Sequence, residues 1–102
     1  MRELHELANA VVDQDSFLVF VRELYQDRER SIKREKKKAS SPYGPEAGGW
    51  ENTTIESFFK GAVAWAEDSS FGTKMALPEL ELDGKNNWRS FAAFLMAGKV
   101  YE

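Results

Sequence analysis

The apolar residues of this chain recur three and four positions apart rather than two, which commits most of it to helices that pack by one face. Leu4, Leu7, Ala8 and Val11 define a first short helix that ends near Val12, where Asp13-Gln14-Asp15 interrupts the pattern. A second helix opens with Asp15 or Ser16 as its cap and carries Phe17, Phe20, Val21 and Leu24 as a stripe, with Tyr25 beside it. The stripe stops at Ile32. From Arg28 to Lys38 the residues are nearly all charged good helix formers, so the helix continues as a solvated extension or frays. Between Ala39 and Gly49 two prolines and three glycines break any regular element. Thr53-Thr54-Ile55-Glu56 then has the capping-box spacing, in which the Thr53 hydroxyl takes a free amide and Glu56 reaches back to the cap. Ile55, Phe58, Phe59, Ala62, Trp65 and Ala66 extend that helix to an end between Asp68 and Ser70. Asn86 or Asn87 caps a last helix whose buried face is Trp88, Phe91, Ala92, Leu95 and Met96. Gly98 reads as its left-handed stop, with Tyr101 folding back.

One stretch has a different period. Leu77, Leu80 and Leu82 fall around Pro78 and three acids, as an extended connection or one short strand whose only candidate partner is the tail 99–102. The expected fold is therefore all-α: a single domain over 1–102 with three to four helices and room for one short C-terminal strand pairing. Its parts are N-terminal helices with a basic extension (1–38), a Pro/Gly loop (39–52), and C-terminal helices with the tail (53–102). Phe20, Phe58, Trp65, Phe91 and Leu95 are expected at the centre of the core, because the stripes have only each other to bury against.

Seven Phe, three Trp and three Tyr in 102 residues supply enough bulk for one such core. The longest apolar runs, Phe17–Val21 and Phe91–Ala97, fall far short of the ~20 residues of a membrane span, and the acidic start is unlike a secretory signal. A soluble, cytoplasmic protein with no membrane association is expected. No cysteine is present, which excludes disulfides and thiolate chemistry, and a single histidine leaves no imidazole pair for a metal. Charge is uneven: residues 22–38 hold eight bases and four acids, and the rest of the chain six bases and thirteen acids.

The strings Gly49-Trp50-Glu51-Asn52-Thr53-Thr54-Ile55-Glu56-Ser57-Phe58, Trp65-Ala66-Glu67-Asp68, Trp88-Arg89-Ser90-Phe91 and Ala97-Gly98-Lys99-Val100-Tyr101-Glu102 resemble a family of small bacterial proteins of unknown function that recur as stand-alone domains. The resemblance runs from Asp15 onward, with Phe17 and Phe20 matching the family's first helix. It brings no activity, ligand or catalytic residue. The chain departs from the family in its longer basic run and in residues 71–85.

No constellation here has the makings of a catalytic site. Glu79, Glu81 and Asp83 before Gly84 start like a calcium loop, but the twelfth position, which needs a bidentate Glu, is Ser90. Glu67 and Asp68, adjacent on a helix, point about 100° apart. Glu51 and Glu56 sit beside aromatics as an acid/base pair would, yet a capping role accounts for Glu56 and a loop-end role for Glu51. His5 has no second histidine. No catalytic residue, metal ligand or cofactor is expected, and the chain reads as a non-enzyme. Lys33, Arg34, Lys36, Lys37 and Lys38 offer charge to phosphates, but acids interrupt the run and no aromatic within it stacks bases.

That leaves Trp50. It stands on a Gly-Gly hinge before a helix start, either packed in the core or partly exposed as an anchor with Gly49, Glu51 and Asn52 around it. The sequence thus favours a protein-interaction module, of the immunity or accessory kind, whose partner is another protein. A nucleic-acid-associated protein using residues 28–38 is the alternative.

Overall fold

In the computed structural model, residues 3–70 and 87–101 are described, and within them the chain forms four helices: α1 (Leu4–Asn9), α2 (Gln14–Lys37), α3 (Ile55–Asp68) and α4 (Asn87–Val100). The all-α expectation holds. Residues 71–86, with the leucine alternation and the acidic Glu79–Gly84 segment, lie outside the described residues. The tail, the candidate strand partner, is instead helical to Val100.

α2 and α3 begin with the same device, displaced from where the sequence suggested. Asp13, not Asp15 or Ser16, caps α2: its carboxylate accepts from Ser16 N at 2.9 Å, and Ser16 Oγ accepts from Asp13 N at 3.1 Å. Thr54, not Thr53, caps α3, trading hydrogen bonds with Ser57 at 3.1 Å each way. In α3 a serine hydroxyl replaces the longer acid as the reciprocal partner, which moves the start by one residue, while the cap of α2 lies two to three residues earlier than expected. Glu56 instead bonds its own amide and Thr54, and these bonds hold its carboxyl below the usual carboxylate range.

α4 is the hub. It packs on α1, α2 and α3, whereas α2 and α3 do not pack on each other. Its buried face is made of small residues, Ala92, Ala93, Ala97 and Gly98, which let the other helices approach closely. The expectation of Phe91 in the core is overturned: it is 49% exposed, and Trp88 is exposed too. Both rings gather with Phe17 at the surface, Phe17 to Trp88 at 5.4 Å and Trp88 to Phe91 edge-on at 6.2 Å. Phe58 and Leu95 are half-buried against the core, while Phe20 and Trp65 are fully inside as expected.

Gly98 is not a left-handed stop, since α4 runs through it and the positive-φ glycines among the described residues are Gly48 and Gly49. It is there for space. A Cβ at 98 would lie 2.6 Å from the Phe58 ring. Tyr101 does fold back, donating from its hydroxyl to Asp68 Oδ2 at 2.6 Å, and that bond raises its pKa.

A buried latch and an open apolar face

The loop between α2 and α3 closes on itself before it reaches Trp50. Gly48 and Gly49, at φ +80° and +84°, turn the chain so that Glu46 and Trp50 pair as an isolated antiparallel bridge, with amide–carbonyl distances of 3.0 and 3.2 Å. L-residues with a Cβ are strained at such φ values. The hinge drives Trp50 inward, so the idea of a partly exposed anchor is corrected: its ring is 3% exposed.

Inside, the indole N–H donates to Asp27 Oδ2 at 2.8 Å, and the Lys99 ammonium donates to the same oxygen at 2.9 Å. Lys99 is itself buried and stands 5.4 Å from the centre of the Trp50 ring, with the Arg28 guanidinium 5.5 Å from it. Both lie within cation–π range. Arg28 also pairs with Glu46 at 2.8 Å and donates to Ser31 Oγ and Thr53 O. A buried lysine is tolerable here because its charge meets a carboxylate.

Glu51 and Asn52 face the end of α4. Their backbone amides donate to Lys99 O at 3.1 and 3.3 Å, and the Asn52 side-chain amide donates to Gly98 O at 2.9 Å and Tyr101 O at 2.6 Å. Carbonyls at a helix C-terminus lack partners within the helix, and this segment supplies them. Gly61 of α3 makes room for the contact, because a Cβ there would collide with Asn52 and Tyr101 O.

The structure therefore brings Gly49, Trp50, Glu51 and Asn52 together as a latch between the loop, α2 and α4. Periodicity missed Asp27, Arg28 and Lys99, since contacts between distant residues leave no local spacing. One signal was present: the strings around Trp50 and Lys99 both carried the family resemblance, and they meet here.

Outside the latch lies an open apolar groove of about 320 Å³ between α2 and α3. Leu24, Tyr25, Phe58, Phe59 and Leu95 line it, and Trp50 and Asn52 form part of its wall. It exists because α2 and α3 each pack on α4 and not on one another. Tyr25, Ile55 and Phe59 on its banks are 53%, 75% and 52% exposed.

Lys33, Arg34, Lys36, Lys37 and Lys38 are exposed along the last turns of α2 and just beyond it, helical to Lys37 rather than frayed. Glu35 among them turns to the loop and accepts from Ser40 N at 2.7 Å and Ala47 N at 2.8 Å. The Ser40 hydroxyl, the Ser40 amide and the Ala47 amide hold its carboxyl below the usual range. No group of three or more acids or histidines that could hold a metal occurs among the described residues. No helix among them is long and apolar enough to cross a membrane.

Over residues 13–102 the sequence matches DUF7660, a family of unknown function. The chain belongs to that family. No curated protein and no solved structure matches it. The DUF7660 match begins at Asp13, the residue that caps α2, so α1 precedes the matched span while the latch and the groove lie inside it.

Proposed function

We propose that this DUF7660 domain is a small cytoplasmic, bacterial protein-interaction module without catalytic activity, of the immunity or accessory kind, that docks another protein chain on the α2–α3 face. The observation that carries the reading is the uncovered apolar groove with Tyr25, Ile55 and Phe59 on its banks. Large aromatics beside a concave apolar surface are the groups that dominate protein contacts. Trp50 and Asn52 serve this face from beneath, by holding its wall.

The test is retention of a partner by tagged protein in cytoplasm of the native host, wild type against Phe59→Ser. Phe59 is half exposed, so the variant keeps its fold by circular dichroism, and it is expected to lose a protein that the wild type holds. Identical retention by both, or none by the wild type, refutes the reading. The second reading, phosphate binding by Lys33, Arg34, Lys36, Lys37 and Lys38, rests on their exposure at one end of α2. It predicts binding to short nucleic acids that falls steeply with salt, which an apolar contact does not.

A further inference from the structure

α2 carries a second pattern outside its core stripe. Leu18, Tyr25 and Ile32 stand seven residues apart and are 44%, 53% and 41% exposed. A seven-residue step returns within about 20° of the same direction, so these three form one row along the helix. Four residues after each come Arg22, Glu29 and Lys36, and one step of seven before Arg22 comes Asp15. All four charges are exposed, and none takes part in an ion pair among the described residues. On the other side of the apolar row, Arg28 and Glu35 are engaged by the loop.

The sign of the charged row alternates: Asp15 negative, Arg22 positive, Glu29 negative, Lys36 positive. In a parallel two-fold pair this row would lie against the other flank of the partner's apolar row, where Arg28 and Glu35 are already engaged by the loop. Against an antiparallel copy, Asp15 faces Lys36 and Arg22 faces Glu29, and the two-fold axis repeats both pairs. The same axis sets Tyr25 against Tyr25 and Leu18 against Ile32. The charged row selects the antiparallel arrangement, and its centre falls within half a residue of the centre of the apolar row.

We infer that the occupant of this face is a second copy of the chain, with the two α2 helices antiparallel about a two-fold axis at Tyr25. The inference rests on reading the α2–α3 surface as a protein-docking face, and names what docks there. Tyr25 lies on the axis and on the bank of the groove, so each copy brings an aromatic to the other's apolar wall.

Light scattering of the purified full-length chain across concentration tests it. A dimer is expected at low salt. Arg22→Glu makes the row acidic from residue 15 to residue 29 and is expected to raise the dissociation constant by about tenfold or more. Adding Glu29→Arg to the same chain restores opposite signs across the axis and is expected to recover the dimer. The chain has no cysteine, so Tyr25→Cys is expected to form a single intermolecular disulfide on mild oxidation. Three results each overturn the inference: a wild-type monomer at about millimolar concentration, a dimer indifferent to Arg22→Glu, or a reversal that the second substitution does not repair. A monomer that still loses a bound protein on Phe59→Ser would sink the dimer and leave the interaction module standing. A dimer sensitive to Arg22→Glu, with a cytoplasmic partner indifferent to Phe59→Ser, would do the opposite.

Discussion

Trp50 joins three parts of the molecule through one nitrogen and one ring: the loop that carries it, α2 through Asp27, and α4 through Lys99. Its two attachments separate by substitution. Trp50→Phe keeps most of the apolar surface and removes the N–H, while Asp27 Oδ2 still receives Lys99, so a loss of about 1 kcal/mol is expected. Trp50→Ala empties the site and is expected to cost about 3–5 kcal/mol. Lys99→Met falls between them at about 1–3 kcal/mol, because a largely buried carboxylate then loses its charged donor. Urea midpoints give the order directly, and a Trp50→Ala protein as stable as wild type would refute the buried latch. Beyond the family strings shared by Trp50 and Lys99, none of these contacts was legible in the sequence. A tryptophan after two glycines reads as a packed staple first and as an anchor second, and the carboxylate that holds it inside lies 23 residues away.

Existence and type of the helices were legible, because a stripe at three- and four-residue spacing has few other solutions. Their starts were displaced, because Thr53 and Thr54 both carry a hydroxyl and the sequence does not say which has a partner three residues on. The register is testable: Thr54→Ala is expected to cost about 1 kcal/mol and Thr53→Ala close to nothing, read as shifts in thermal midpoint. Glu35 offers a pH test at the same scale. Its bonds to Ser40 and Ala47 depress the folded carboxyl below its unfolded value, so the clamp contributes fully above the unfolded value and is lost as pH falls through the folded one. Glu35→Gln is expected to flatten the acid limb of the stability curve below the ordinary carboxylate range and to leave its neutral slope unchanged. Acid unfolding curves of the two proteins that superimpose after scaling would refute the clamp.

Across the whole molecule, three helices meet through α4, and residue size is a poor guide to which of its positions matter. Helical spacing places Phe91 in the core, because large apolar residues usually face inward. Close approach of helices needs small ones, so Ala92, Ala93, Ala97 and Gly98 won the inner face and the rings were turned out to Phe17 and Trp88. The consequence runs against both size and propensity. Phe91→Ser removes a half-exposed ring and is expected to change stability by less than about 1 kcal/mol. Gly98→Ala improves intrinsic helix propensity by about 1 kcal/mol. It also places a methyl 2.6 Å from the Phe58 ring. Relieving that clash displaces either the ring or α4, at about 1–3 kcal/mol, so the net effect expected is destabilisation. Because α2 and α3 each pack on α4 and not directly on each other, a shift there loosens the groove as well. Gly98→Ala with Phe58→Leu, which shortens the opposing side chain, is expected to recover part of the loss in the same denaturation measurement. A Gly98→Ala protein more stable than wild type would mean that propensity, and not the contact with Phe58, governs this position.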